Sequence, residues 1–262
     1  MSRWLDLHCH SYLSSDGVSR PAVLLRAARA AGLDALAVTD HGTIQGGLRT
    51  AALRGPSDPE IIIGAEYSTD VGHVLGLFLR DEIRLGAAPR WPVAEVIGAI
   101  HEQGGLAILA HPTKTFQPLP MEALGSFDGI EVYNARAEFS RFPQANSRAL
   151  EHWRAWQRLH PDRSLIATAG SDAHFPGEVG HARCAVDGDG DLRQALSRGP
   201  ERIIARGTAP IVEASSQAVK VWKTHQWARA PQAAGRLLWH AARTAGRVGH
   251  LSATTTISLD QR

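Results

Sequence analysis

Metal-ligand residue types recur where the sequence predicts strands to end. The first group is Asp6-Leu7-His8-Cys9-His10 and the last is Gly170-Ser171-Asp172-Ala173-His174; between them come Asp16, Thr39-Asp40-His41-Gly42, Gly64-Ala65-Glu66, His73 and Ala110-His111-Pro112. A strand projects residues i and i+2 to one face. His8 and His10 therefore point together while Cys9 points away, and Asp172 with His174 repeats the arrangement. Two such pincers and five further ligands make a candidate multinuclear metal site. Imidazole and carboxylate without thiolate suit zinc, manganese or iron. A metal lowers the pKa of its water to roughly 7, and paired ions about 3.5 to 4 Å apart stabilise the attacking and leaving oxygens of a phosphoryl transfer. Hydrolysis of a phosphate ester is the natural use of such a site.

The elements that must position these residues read as an α/β chain. Residues 4–8 are an apolar strand, Ser19 is a candidate N-cap with Pro21 in the first turn, and the stripe Val23, Leu24, Ala27, Ala28, Ala31 ends at Gly32. Residues 35–39 resume as a buried strand, which completes a βαβ unit. Further strands are predicted at 61–65, 73–79, 106–110, 129–133 and 165–169, and helices at 92–103, 145–159 and 191–197. Six strands end on or just before His8, Asp40-His41, Glu66, His111, Asn134 or Asp172, the carboxyl end at which barrel enzymes carry their chemistry. The strand at His73 begins with its ligand instead. Residues 67–72 are too few for a helical crossover, so a turn through Thr69-Asp70-Val71-Gly72 should make an antiparallel hairpin that returns His73 to the level of Glu66.

These motifs resemble the polymerase-and-histidinol-phosphatase (PHP) domain phosphoesterases: HxH at His8 and His10, SDG at Ser15-Asp16-Gly17, TDH at Thr39-Asp40-His41, GxE at Gly64-Ala65-Glu66, a following His73, AHP at Ala110-His111-Pro112 and SDAH at Ser171-Asp172-Ala173-His174. The resemblance covers about residues 4–205, and all nine usual ligand positions are filled. It implies a distorted seven-stranded (β/α) barrel, TIM-like, and three divalent ions (Mn, Zn or Fe). His8, His10, Glu66 and Asp172 would hold one metal, Glu66 would bridge to a second held by His73 and His111, and a third would sit among Asp16, His41 and His174. A metal-bridging hydroxide would then attack phosphorus in line. Residues 6–47 together with 72–77 look most like the branch acting on nucleotides and short oligonucleotides, although those relatives often carry an inserted domain where this chain has only residues 74–110 between its two ligands. A small-molecule phosphatase of the histidinol-phosphate type is the alternative, and a non-catalytic module stabilised by metal is a further one.

Several neighbours have two readings. Asp40 can orient a ligand histidine or cap the turn at Gly42. Lys114 and Arg136 are candidates to hold a non-bridging phosphate oxygen, or are solvated charges. Ser14 and Ser15 can donate to the phosphate or shape the loop before Asp16. The remaining seven histidines, His101, His152, His160, His181, His225, His240 and His250, are read as structural or solvent-facing. Cys9 and Cys184 are too few for a disulfide framework and read as small buried residues.

The formal charge of +2 is too small to argue for nucleic acid by itself. No positively charged leader precedes the first strand and no apolar run reaches the roughly 20 residues of a spanning helix, so a cytoplasmic location is expected. The barrel is expected over 1–207, followed over 208–262 by a basic helical appendage and tail. Residues 214–259 carry Lys220, Lys223, Arg229, Arg236, Arg243 and Arg247 with Trp222, Trp227 and Trp239 but no acid. That stretch reads as a helical addition with a solvated basic face, or as a surface for RNA or an anionic membrane, and residues beyond 252 as a disordered tail.

Overall fold

The computed structural model describes residues 1–86, 90–114, 119–140, 142, 144–188, 190–245 and 253–259. Apolar runs become strands in the expected order: β1 (Arg3–Asp6), β2 (Ala35–His41), β3 (Glu60–Thr69), β4 (Gly72–Leu77), β5 (Leu106–Ala110), β6 (Gly129–Asn134) and β7 (Ile166–Gly170). All but β4 run parallel to one another, and β4 is antiparallel to both β3 and β5. The hairpin closes with Thr69 opposite Gly72 and Ser68 opposite His73, as expected.

The sheet curls until its first and seventh strands meet. Just past β1 and β7, Cys9 bridges Ala173 in parallel; Asp172 N donates to His8 O at 2.8 Å and His10 N to Ala173 O at 2.8 Å. This is the distorted barrel of the sequence reading. Strands buried on both faces are continuous apolar runs, and β5, β6 and β7 are buried throughout. Leu5, Ile62, Leu75, Ile108, Ile130 and Ile166 meet in the largest apolar cluster.

Helices cover the outside. α1 (Pro21–Ala30) lays Leu24, Leu25 and Ala28 against Leu36 and Val38. Ser19 does not cap it; Arg20 holds the N-cap position and makes no side-chain bond. α2 (Gln45–Ala52) was not expected, because Gly46 and Gly47 are poor helix formers. Gly46 is required there, since a Cβ would lie 1.8 Å from Asp40 Oδ2. α3 (Val93–Glu102) packs Val96, Ile97 and Ile100 on β4 and β5. α4 (Ala145–Leu159) buries Trp153, whose Nε1 donates to Leu165 O at 2.7 Å, and Trp156. α5 (Leu192–Ser197) is capped by Asp191, which accepts from Gln194 N.

The sequence reading missed three strands on the other side of β1. β8 (Ala182–Val186), β9 (Arg202–Ala205) and β10 (Thr255–Ser258) extend the sheet in antiparallel order. The expectation of a disordered tail beyond 252 is thereby corrected, although residues 260–262 lie outside the described residues. β10 pairs along β9, and Leu259 is buried in the main core. Between β9 and β10 come α6 (Pro210–Lys223) and α7 (Ala230–Ala245), so the chain leaves the sheet and returns to it. No helix among the described residues is long and apolar enough to cross a membrane. Because Leu259 fills a core site, Leu259→Ala should lower the unfolding free energy by about 2 kcal/mol or more; a urea midpoint equal to that of the parent protein would mean that the terminal strand is not docked.

Candidate metal centre

The carboxyl ends of the parallel strands converge. His8 and His10 follow β1, His41 ends β2, Glu66 lies within β3, His111 follows β5, and Asp172 and His174 follow β7. The antiparallel β4 brings in His73 beside Ala110. Two of these residues sit in left-handed backbone, His111 at φ 28° and Asp172 at φ 53°. Such a conformation is costly for residues other than glycine and clusters at functional sites.

Glu66 is the hub. Its Oε1 lies 2.6 Å from His73 Nδ1 and 3.2 Å from His111 Nε2, and its Oε2 lies 3.0 Å from His41 Nδ1, 3.4 Å from His10 Nε2 and 3.6 Å from His8 Nε2. Asp172 Oδ1 is 3.4 Å from His10 Nε2, 3.8 Å from His8 Nε2 and 3.5 Å from His174 Nδ1. Asp16 faces His174 Nε2 at 3.2 Å and His41 Nε2 at 3.4 Å. All nine expected ligands thus come together. Three sets have ligand atoms mutually within 4.8 Å: His10, Asp16, His41 and His174; His8, His10 and Asp172; and His8, Glu66 and His111. The sets do not follow the partition implied by the resemblance one to one: His10 belongs with Asp16, His41 and His174 as well as with His8 and Asp172, and His8 rather than His73 joins Glu66 and His111, His73 reaching the cluster through Glu66.

The electrostatics follow from burial and crowding. Burial alone would raise the pKa of Glu66, but the imidazoles of His73, His41 and His8 outweigh it and hold the carboxyl well below the usual range. Asp172 is likewise held low, by His8, His10 and Lys114. Burial and the neighbouring His174 push His10 down to about 3, whereas for His41 the attraction of Glu66 and Asp16 overrides burial and raises it to about 10. These donors fit divalent cations. The Nε2 atoms of His8 and His10 face each other at 3.3 Å, while His8 Nδ1 is engaged by Glu131 and His10 Nδ1 by Ser14. With Nδ1 of His8 turned to the Glu131 carboxylate, the His8 Nε2 lone pair is directed at His10 Nε2, and a cation there would be within reach of both rings. Asp16 Oδ1 is buried, and its charge faces His174 Nε2 at 3.2 Å without hydrogen-bond alignment. A cavity of about 1370 Å³ opens onto the cluster.

Other polar groups hold the ligands, and some differ from expectation. Asp40 does not orient a histidine or cap a helix; it accepts from Ser11 N at 2.7 Å and Ser11 Oγ at 2.6 Å. Ser14 Oγ is 3.0 Å from His10 Nδ1 and accepts from His41 N at 3.3 Å, so it braces two ligands and is buried from the cavity. Ser15 is half-buried and does not line the cavity. Arg136 is not a free anion-holding arm. Its Nε and Nη2 donate to Glu178 at 2.9 and 2.7 Å and its Nη1 to Ser216 Oγ at 2.7 Å, which makes it a buried strut between the segment after β6 and α6. Lys114 does face the cavity, with Nζ 3.7 Å from Asp172 Oδ2.

Two acids, Glu131 and Asp6, have roles that the sequence reading did not assign. Glu131 receives His8 Nδ1 at 3.1 Å, His111 N at 2.8 Å and Asn134 Nδ2 at 3.0 Å, and Asn134 Nδ2 also reaches Asp172 Oδ2 at 3.3 Å. The available signal was a lone carboxylate inside the apolar run of β6. Asp6 accepts from His8 N, Ser171 N and Gly180 N, which ties β1 to the loop carrying Asp172; burial pushes its pKa up to about 6 against those hydrogen bonds. Its place two residues before His8 was the clue. A further correction concerns the basic C-terminal face: Lys220 and Lys223, both half-buried, reach the loop of residues 11–17 with their ammonium groups.

Fold and site together define a curled (β/α) barrel with a buried imidazole–carboxylate centre at its strand ends. The PHP domain model matches residues 6–197, and the chain belongs to that family, whose phosphoesterases are metal-dependent. An uncharacterized protein of Methanocaldococcus jannaschii is 38% identical over 146 residues, spanning 50% of this chain and 81% of the relative. A 5′-3′ exoribonuclease of Haemophilus influenzae is 40% identical over 81 residues, 29% of each chain. A two-domain Bacteroides vulgatus protein containing a predicted PHP-like metal-dependent phosphoesterase superposes with a TM-score of 0.51 at 22% identity, covering 76% of this chain and 62% of that one, a likeness of fold. Partners of metal ligands typically contribute 10- to 100-fold in metal affinity. Glu131→Gln, which turns an amide donor toward donors, should therefore weaken Mn²⁺ binding about 10-fold or more in a titration of the metal-stripped protein, and an unchanged isotherm would show that Glu131 has no such part.

Proposed function

We propose that this chain hydrolyses phosphate esters with three divalent cations, Mn, Zn or Fe, held by His8, His10, Asp16, His41, Glu66, His73, His111, Asp172 and His174. The observation that carries this reading is the convergence of three buried carboxylates on six imidazoles, all at one end of the sheet. Held by these residues, divalent cations would supply a nucleophile at neutral pH and would neutralise charge developing on the transferred group. The chain's own residues do the rest. Glu131 and Ser14 fix the rings of His8 and His10, and Lys114, beside Asp172, is placed to hold a phosphate oxygen as a point charge.

The substrate class we propose is nucleotides or short oligonucleotides. The cavity, at about 1370 Å³, exceeds what a small phosphomonoester needs. Its walls carry Arg90, Lys114, Lys220 and Arg236 with Trp239, a combination of phosphate-binding charge and a ring on which a base can stack. The exoribonuclease relative points the same way. Trp222 and Trp227 stand exposed on and after α6, and this basic, acid-free stretch is a surface suited to RNA beyond the cavity.

Purified protein loaded with Mn²⁺ should release phosphate or nucleotide from 3′,5′-bisphosphonucleotides and short 5′-phosphorylated RNA in preference to histidinol phosphate. A preference for histidinol phosphate of about tenfold, roughly 1.4 kcal/mol in transition-state terms, would transfer the protein to the small-molecule class, and no hydrolysis of any ester would end the proposal. His41→Ala should abolish turnover and leave the far-ultraviolet circular dichroism unchanged; full activity in that variant would remove His41 and its neighbours from the site. Lys114→Met should raise KM about tenfold with a smaller change in kcat, whereas an unaltered KM would show that Lys114 does not hold substrate.

A further inference from the structure

The family match ends at residue 197, yet α6, which begins at Pro210, reaches into the centre. Lys223, in its last turn, donates to three backbone carbonyls of one loop: Tyr12 O at 2.5 Å, Ser14 O at 2.5 Å and Gly17 O at 3.0 Å. An ammonium has three N–H donors and no acceptor, so these bonds satisfy it completely. Three carbonyl dipoles turned to one point need a cation among them.

The loop of residues 11–17 carries Asp16 and Ser14. Among its backbone bonds are Tyr12 N to Ser19 O at 2.9 Å and Ser14 N to Ser11 O at 3.2 Å. It is folded tightly enough that a Cβ on Gly17 would lie 2.1 Å from Ser11 O. One turn before Lys223, Lys220 places its Nζ 3.2 Å from Asp16 Oδ2. A single helix thus grips both the backbone of the loop and the side chain it presents. Ser216 of the same helix receives Arg136, whose other nitrogens hold Glu178, and Glu178 in turn accepts from His174 N at 3.0 Å. Asp16 and His174 are therefore both braced from α6.

We propose that α6 is an integral part of the metal centre, with Lys223 a positioning residue that holds Asp16 and Ser14 where they can serve the ions. This rests on the reading of Asp16 as a ligand. Lys223 touches neither substrate nor ion; it acts through the loop.

The test uses the full chain with Lys223→Met, which keeps the apolar stem and leaves three carbonyls without their donor. Metal-stripped protein is titrated calorimetrically with Mn²⁺, and amide hydrogen exchange is followed by mass spectrometry. One binding step should weaken about 10- to 100-fold while the others stay as in the parent protein, and exchange should quicken over residues 11–17 alone. Lys223→Arg, which can still donate to the carbonyls, should recover part of the lost affinity. Unchanged affinity in the Met variant would overturn the proposal, as would an equal loss at every step. Failure of both variants to fold would also overturn it, because Lys223 would then be a general stability element. Loss of one metal in a protein that cleaves no phosphate ester would sink the proposed function and leave this inference standing.

Discussion

The structure depends on one electrostatic constraint. Asp16, Glu66 and Asp172 are almost wholly buried within a few ångströms of one another's partners, and carboxylates removed from water are costly unless opposite charge is close. In this protein the opposite charge must come from imidazoles, from Lys114 and Lys220, and from the cations that the donor set fits. The need for compensation at a single point explains why six histidines from different strands are brought there. It also explains why the left-handed backbone at His111 and Asp172 is retained: the strain is repaid by putting a ligand at a position that ordinary strand geometry would miss.

The barrel delivers those groups because its parallel strands share a direction. Every carboxyl end opens on the same rim, so short motifs far apart in the chain become neighbours without long connecting loops. β4 is the exception that fits, since its reversal in a tight hairpin brings the first residues of that strand to the rim. Closure between the segments following β1 and β7 places His8 and His10 against Asp172, bringing the first and last motifs of the barrel together. Around the rim, Asp6, Glu131 and Glu178 accept from the backbones or rings of the clustered residues, and Asn134 donates to the Asp172 carboxylate. They convert loose strand ends into fixed donors.

The C-terminal segment has a larger part than a solvated appendage would. α6 sends Lys220 and Lys223 to the Asp16 loop and receives Arg136 through Ser216, and the chain then returns to close the sheet edge with β10. Basic character along this stretch had suggested an outward surface. Part of that charge instead faces inward, where buried carbonyls and a carboxylate attract it.

The sequence by itself determined the barrel strands and which nine imidazole and carboxyl groups gather at their ends. Apolar runs such as residues 106–110, too short for a helix and flanked by Gly104-Gly105 and Pro112, read as buried strands, and residue types such as those of His8-Cys9-His10 and Asp172-Ala173-His174 at strand ends have few other uses. The hairpin at residues 69–72 was equally legible, because so short a connection permits nothing else. Only the tertiary structure decided which donors share a cluster, that Asp40 and Ser14 brace the loop and its ligands, that Arg136 is held by Glu178, and that Lys223 clamps the loop of Asp16. The physical reason is that residue type and spacing set what a side chain can do, whereas its partner is chosen by contacts between elements as far as 211 residues apart. The last strand shows the same limit: the β-branched run Thr255-Thr256-Ile257 favours extended backbone, but only β9 supplies the edge that makes it a strand.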